Sequence, residues 1–515
     1  MSAHPRHWAD VDPERPAIIE ARTGRATTYR ELNDRSSRCA HWLRRAGIVP
    51  GDHVAVILEN HPCFLEISWA AQRAGVYFTP ISWRFQPEEI LYILEHSGAK
   101  AVFISHAQAA LAARLLQGTC PSVRLSVGGA LDGYRSYEDA IAGTSGLPRA
   151  EETRGVDMLY SSGSTGKPKA IKVPVEDPCV DGAPPLYRLF GRRFAWNPST
   201  VYLMPAPLYH SGPLRFAMAI GYFGGTVVLM EKFDALEALA ACERYAVTHA
   251  QWVPTMLVRL LKLPREVRER FDLSTLKFVI HGAAPVSVDV KRAMIEWLGP
   301  ILDECYSGTE GNGATLIDSA EWLAHPGSVG KAAFGTLHVL DERGREVPPG
   351  TIGDVYFDGA KFEYFKDPAR TREAYNERGW STLGDIGYMD AEGYLYLTDR
   401  KNDVIITGGV NIYPIEVEHV LASHPLVLDA AVFGIPDEDL GEAIHGVVQL
   451  ADPAAAGPEV GRLLVDYCRA KLAHFKCPRT LEFRAELPRH DTGKLYKRLL
   501  KAEHAANPAA RKPRG

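Results

Sequence analysis

The stretch Tyr160-Ser-Ser-Gly-Ser-Thr-Gly-Lys-Pro-Lys-Ala170 crowds hydroxyl side chains among two glycines, two lysines and a proline. It follows a short apolar lead, 156–159, that reads as a strand or the approach to one. Glycines permit a tight turn that aims backbone N–H groups into one concavity, and the hydroxyls with Lys167 or Lys169 add donors and positive charge. That combination suits a polyphosphate. The pattern is not a Walker A loop, which wants glycine where Ser161 stands and a Ser or Thr where Pro168 stands. Alone, such a turn reads equally as a surface linker, and the surrounding chain has to decide.

On the N-terminal side of the loop, a helical segment starts at Thr28-Tyr-Arg-Glu-Leu32 and runs through Leu43. Apolar runs follow at 54–58, 76–80 and 101–105, with helical runs at 64–73 and 88–96 between them, while 131–149 is expected to skirt the surface. On the C-terminal side, 176–197 is rich in Pro, Gly and Arg and shows no element pattern. Strands are then expected at 202–204, 226–230, 248–253, 276–280 and 301–305, and helices at 235–245, 255–261 and 289–297. Such alternation marks a sheet covered by helices. From 337 to 357, short β runs surround Asp341-Glu-Arg-Gly344 and Pro348-Pro-Gly350, as in a small antiparallel barrel or sheet. Beyond 400–403 a compact pattern begins: a strand at 404–407, a helix at 415–422, strands at 428–433 and 444–450, and a helix at 460–474. The fold class expected is α/β, a large N-terminal domain of helix-covered β-sheets with a small β-barrel-like part, followed by a small α+β C-terminal domain.

A chain of 515 residues is long enough for more than one core. With 58 basic and 63 acidic residues, its formal charge of −5 gives no general attraction to nucleic acid and leaves room for a local basic groove. Eight cysteines are scattered without ligand-like spacing, which reads as reduced thiols in an intracellular protein and against a structural zinc site. Residues 1–12 lack the apolar core of a signal peptide, and no run reaches the roughly eighteen apolar residues of a membrane span.

The loop resembles the phosphate-binding loop of the adenylate-forming superfamily, which includes acyl-CoA synthetases, the adenylation domains of peptide synthetases and beetle luciferases. Further motifs recur in that family's order: Pro207-Leu-Tyr-His210, Gly282-Ala-Ala-Pro285, Tyr306-Ser-Gly-Thr-Glu310, Gly384-Asp385, Asp399-Arg400 leading into Gly408-Gly-Val-Asn-Ile-Tyr-Pro414, and Thr492-Gly-Lys494. The set covers nearly the whole chain and is most similar to the acyl-CoA synthetases. The resemblance implies an adenylation domain over 1–399 with the ATP and acyl sites, a hinge at 400–403 with Asn402 at the pivot, a small mobile domain over 404–504 and a disordered tail over 505–515.

The same resemblance implies roles. Ser161, Ser162, Gly163, Ser164, Thr165, Gly166 and Lys169 would hold the β- and γ-phosphates. Gly282, Ala283, Ala284, Pro285 and Tyr306 would form the adenine slot, Thr309 would neighbour the α-phosphate, and Glu310 would bind magnesium. Asp385 would accept both ribose hydroxyls, with Arg400 beside it. His210 would stand between nucleotide and acid, and Trp252, Met256, His281 and Gly308 would line an acyl pocket. Gly408 and Gly409 would border the pantetheine tunnel, Lys476 would meet the CoA end, and Lys494 would bridge the carboxylate and the α-phosphate. Departures are Ser at 161 and 164 where the family has Thr, Ala170 for its final glycine, Asn402 for Asp or Lys, and Leu383 for the Thr before Gly384-Asp385. Thr382, one place earlier, offers a hydroxyl, but a one-residue shift normally changes the face presented.

The reaction implied has two steps, acid plus ATP giving acyl-adenylate and pyrophosphate, then attack by a thiol. ATP, Mg2+ and coenzyme A are the implied cofactors and a small carboxylic acid the partner. No nucleic acid or membrane span is expected, a cytoplasmic location is, and a homodimer is left open. The alternative acceptor is a carrier-protein phosphopantetheine thiol. An oxidative, light-producing use of the adenylate has no feature in its favour. A non-catalytic binding protein on this fold would be expected to have lost Lys494, Glu310 or Asp385, and all three are present. The acid stays open between acyl chains, aryl or arylpropenoic acids and polycyclic side-chain acids.

Overall fold

Parallel strands buried on both faces read as near-continuous apolar runs, and the chain builds two sheets of this kind. The computed structural model describes residues 3–161, 168–175, 177–401, 403–407, 410–437, 440–489 and 495–506. The larger sheet has nine strands, in the order Lys331–Phe334, Ala314–Ile317, Leu302–Ser307, Phe278–Gly282, His249–Gln251, Val201–Met204, Thr226–Leu229, Pro16–Glu20 and Ala26–Thr28. Leu302–Ser307 through Pro16–Glu20 run parallel, and the strands outside them are antiparallel. The second sheet, Tyr77–Pro80, His53–Ile57, Ala99–Ser105, Val123–Val127 and Arg135–Ser136, is parallel throughout.

Helix Pro62–Arg73 touches strands of both sheets, and every one of its residues is buried. A helix enclosed on all sides must satisfy its polar groups internally. Glu66 accepts from Arg35 Nε at 2.8 Å and from the Tyr137 hydroxyl, while Arg73 Nη2 donates to Asn33 Oδ1 at 3.0 Å. Trp69 meets Tyr222 of helix Ser211–Tyr222 edge-on at 5.0 Å, which seats the second buried helix against the first. Helix Tyr29–Arg45 starts where the Thr28–Glu31 capping box satisfies its first amides.

Two smaller sheets complete the N-terminal part. Leu159–Ser161 and Lys169–Lys172 pair antiparallel with Ser161 opposite Lys169, and Glu363–Tyr364 joins them, so the ends of the phosphate motif form one ladder. Thr336–Leu340, Gly353–Asp358, Ser381–Met389 and Leu395–Arg400 form an antiparallel sheet of four strands. The C-terminal part orders Val410–Ile412, Ile405–Thr407, Gly441–Leu450 and Val427–Asp437, with Thr480–Phe483 parallel to Gly441–Leu450. Its own core includes Ile412, Val417, Leu421, Val432, Val448 and Leu464.

Several expectations are corrected. The stretch 176–197 contains helix Pro185–Arg193, because proline is compatible with a first turn and Phe190 stacks on Phe216 at 5.3 Å. The stretch 131–149 does more than skirt the surface: helix Tyr137–Ala142 buries Tyr137 and Ile141. The long C-terminal helix ends at Lys471, ahead of 474. Residues 505 and 506 complete helix Lys497–Ala506, and the rest of the expected tail, 507–515, lies outside the described residues. Among the described residues no helix is long and apolar enough to cross a membrane.

Phe357 joins the antiparallel sheet to the larger one. Its ring occupies the space over Gly313, where a Cβ would come within 2.1 Å of it, and lies 6.2 Å from the Tyr306 ring. Phe357→Ala is expected to lower stability by about 3–5 kcal/mol, the range for emptying a buried aromatic site. Urea denaturation followed by tryptophan fluorescence measures this, and a midpoint equal to the parent's would show that the two sheets do not depend on the contact.

Candidate active site

In open parallel sheets, ligands collect outside the carboxyl ends of the strands. Four motifs leave the larger sheet there. Pro207 to His210 follows Val201–Met204, Trp252 follows His249–Gln251, Gly282 closes Phe278–Gly282 ahead of Ala283, and Thr309 with Glu310 follows Leu302–Ser307. Residues far apart in sequence meet because these strands are neighbours in register.

The Gly282 turn is set by close approach, since a Cβ at that position would lie 2.3 Å from the Cys305 carbonyl oxygen. Ala283 then takes φ 69°, a left-handed conformation that costs a residue with a Cβ about 1–2 kcal/mol. Ala284 and Pro285 continue the exposed turn. Beside it the Tyr306 hydroxyl donates to Asp385 Oδ2 at 2.7 Å, and Arg400 Nε stands 3.3 Å from Asp385 Oδ1. Burial, and then the Asp385 charge, push the Tyr306 phenol well above its usual range, so it stays a donor.

On the phosphate side, Ser161 Oγ is buried and has no partner among the described residues. Lys169 Nζ donates to Glu310 Oε1 at 3.2 Å and to the Tyr364 hydroxyl at 2.8 Å, and that hydroxyl donates to Glu310 Oε1 at 2.9 Å. Burial alone would raise the Glu310 carboxyl, but the Lys169 charge and the hydrogen bonds outweigh it and hold the group below its ordinary value. Glu310 is therefore an anion at neutral pH. Its Oε2 is turned past Gly308, where a Cβ would meet it at 2.8 Å.

Arg215 was not anticipated from sequence, although a lone arginine in the otherwise apolar helix Ser211–Tyr222 was a signal. Its guanidinium holds Asp157 Oδ2 at 2.8 and 3.1 Å and donates Nη1 to the Thr309 carbonyl at 3.0 Å. Thr309 Oγ1 lies 3.2 Å from Ser211 Oγ, next to His210, which occupies the N-cap of the same helix with its ring edge-on to Tyr209 at 4.6 Å. Tyr364 was also missed, since nothing in its local sequence connects it to Lys169.

Trp252, just past strand His249–Gln251, and Met256, in helix Pro254–Leu261, are buried. His281 is enclosed too, with Nε2 3.5 Å from Glu304 Oε2, and Lys291 Nζ reaches the same oxygen at 2.5 Å. Burial and then Lys291 lower the His281 pKa well below its usual value, which leaves the ring neutral. Gly308 abuts Leu383, whose Cδ2 would stand 2.5 Å from an added Cβ. Thr382 Oγ1 accepts from Gly384 N at 3.0 Å, so this hydroxyl serves its own turn. Lys476 is in an ion pair with Glu416 at 2.7 Å. Ser162, Gly163, Ser164, Thr165, Gly166, Asn402, Gly408, Gly409 and Lys494 lie outside the described residues.

The family model described as AMP-binding enzyme matches residues 5–362, and that of the AMP-binding enzyme C-terminal domain matches 416–494. The chain belongs to the AMP-binding enzyme family. Within this adenylate-forming group it stands close to the acyl-CoA synthetases and is an AMP-forming acid–thiol ligase. It is 31% identical to the fatty acid–acyl-carrier-protein ligase ScoC of Streptomyces coeruleorubidus, over 97% of this chain and 95% of that one. It is 32% identical to a feruloyl-CoA synthase of an Amycolatopsis species, over 96% and 97%. The ATP-bound MatB structure from Rhodopseudomonas palustris superimposes with a TM-score of 0.81 at 28% identity, covering 98% of this chain and 99% of that one.

As an AMP-binding enzyme, the protein should feel the loss of the Tyr364 hydroxyl. Tyr364→Phe keeps the ring under Lys169 Nζ, 4.2 Å from its centroid, and removes one charge-assisted hydrogen bond to Glu310. Such bonds contribute about 1.5–3 kcal/mol, so pyrophosphate release from acid and ATP should slow by about tenfold or more with the fold retained. Release at the parental rate would separate Tyr364 from the site's work.

Proposed function

We propose that this AMP-binding enzyme joins an apolar acyl, aryl or polycyclic side-chain carboxylic acid to coenzyme A through an acyl-adenylate. In the first step a carboxylate oxygen attacks the α-phosphorus of ATP and the bond to pyrophosphate breaks. In the second, the deprotonated thiol sulfur attacks the acyl carbon and AMP leaves with the electron pair. The observation that supports the substrate class is the burial of Trp252 and Met256 just beyond His249–Gln251, the strand next to the one that leads to His210, which would offer an apolar wall to the body of the acid.

The nucleotide roles are those the family resemblance implies. Asp385 and Arg400 are assigned to the ribose, the left-handed turn at Ala283 with Tyr306 to adenine, and Ser161 with Lys169 to the phosphates. The orphaned hydroxyl of Ser161 supports this, because a buried polar atom without a partner marks a place for a ligand. Glu310 suits Mg2+, a hard cation that takes carboxylate and phosphate oxygens and supplies charge neutralisation on the phosphates. Its Oε1 is already occupied by Lys169 and Tyr364, which leaves Oε2 for the ion. Thr165 is assigned to the phosphates, Gly408 and Gly409 to the pantetheine tunnel and Asn402 to the hinge. Lys476 would have to leave Glu416 to meet the CoA end. His281 is assigned to the same acyl wall, with a neutral ring whose two nitrogens are buried without a hydrogen-bond partner among the described residues.

A carrier-protein thiol is the second reading, supported by the 31% identity to ScoC, which is named for loading an acyl carrier protein. A panel of acids assayed for AMP release with CoA, or with a phosphopantetheinylated carrier, decides between acceptors. Thioester formed only on the carrier would overturn the CoA reading.

Two substitutions test the roles. Asp385→Asn should weaken use of ATP more than binding of the acid, by about 1.5–3 kcal/mol for the lost anionic acceptor, and unchanged ATP affinity and turnover would remove Asp385 from the ribose. Lys494→Ala should cut pyrophosphate release by orders of magnitude, because a compact ammonium would offset the charge between an anionic acid and an anionic phosphate. Thioester formation from supplied acyl-adenylate and CoA should stay near parental. Equal impairment of both half-reactions would refute that assignment.

A further inference from the structure

In the C-terminal domain three polar side chains from separate elements face one another: His445 on Gly441–Leu450, Glu482 on Thr480–Phe483 and His504 on Lys497–Ala506. One donor atom from each lies within 4.8 Å of the other two. His445 is 4% exposed, and its Nδ1 stands 2.7 Å from Thr480 Oγ1. With the proton on Nδ1 and donated to Thr480, Nε2 presents a lone pair to the cluster. That nitrogen and His504 Nδ1 are both buried without a hydrogen-bond partner, and Glu482 Oε2, at 3.8 Å from His445 Nε2, is too far to supply one. Buried unpaired nitrogens of this kind call for an explanation.

We propose that His445, Glu482 and His504 bind a divalent d-block cation of the zinc class. Two imidazoles and one carboxylate are a familiar three-ligand set for such an ion, with water in the fourth position. The surroundings match the outer shell that ligands of this kind need. Thr480 fixes the His445 tautomer, and Arg484 Nε holds the other Glu482 oxygen at 2.6 Å, which leaves Oε2 facing the histidines. Bonds of about 2.0–2.1 Å in tetrahedral geometry put donors about 3.3 Å apart, so the side chains have to close in by at most about 1.5 Å.

The cation would clip the last helix to the sheet. Helix Lys497–Ala506 begins just after Lys494 and is already fastened at Leu500, which packs with Ala431 and Phe433, and at Lys497, whose Nζ is 2.9 Å from Glu418. His504 would add a fastening near the other end. The site is separate from Glu310 and takes a softer ion than Mg2+.

The test is a titration of untagged, chelator-stripped, full-length protein with cobalt(II), reading the visible d–d absorption of the low-coordinate ion and the melting temperature. One cobalt per chain and a raised melting temperature are expected. His504→Ala and Glu482→Gln should each weaken binding by about 10–100-fold or more, and Thr480→Val, which frees the His445 tautomer, by about 10–100-fold. His474→Ala, an exposed histidine outside the cluster, should leave it unchanged. If His504→Ala does not fold, the near-isosteric Glu482→Gln decides. No cobalt signal in the parent, or a signal of parental affinity in Glu482→Gln, overturns the proposal.

Discussion

One half-buried guanidinium, that of Arg215, holds the strand ends of the candidate site in place. Arg215 is mostly enclosed by the N-terminal core, where burial disfavours its charge, and the Asp157 carboxylate outweighs that and favours the charged form. Asp157 belongs to the segment that bridges to Phe78 of the second sheet, while the Thr309 carbonyl belongs to the end of a strand of the larger one. The side chain therefore ties both sheets to the point where Glu310 starts. Buried charge pairs are poor sources of stability but strong sources of position, because moving either partner strands the other in a dry interior.

From that anchor the site spreads through short contacts. Glu310 is fixed by Lys169 and Tyr364, and Asp385 by Tyr306 and Arg400. In both cases the carboxylate accepts a hydrogen bond from a tyrosine hydroxyl, so its direction is set by the protein itself. Such preorganisation lowers the reorganisation that catalysis would otherwise require.

Much of this was legible in the chain itself, for reasons that differ by element. The motif residues are readable because the backbone there has special demands: Gly282 must lack a Cβ, and the Thr28–Glu31 box must start a helix. The apolar parallel strands are readable because burial on both faces leaves no alternative composition. Helix Pro185–Arg193 was hidden by its own punctuation, since Pro, Gly and Arg suggest loop until Phe190 is seen against Phe216. Arg215, Asp157 and Tyr364 were hidden for a different reason. Their partners are distant in sequence, and a pair of that kind has no local period or spacing to betray it. The His445, Glu482 and His504 cluster belongs to the same class, with one member on a strand, Thr480–Phe483, too short to show an alternation.

The contact between Gly308 and Leu383 has a historical side. The leucine occupies the space that a side chain at 308 would need, so the two positions are one steric unit shared between a strand end of the larger sheet and a strand of the antiparallel one. Neither is free to drift alone. A lineage that enlarges 308 first passes through an overpacked intermediate, whereas one that shrinks 383 first passes through an underpacked one, and the second path is the gentler because a gap beside an open cleft can be filled by solvent. The order of substitutions, and not only their identity, is thus written into this corner of the fold.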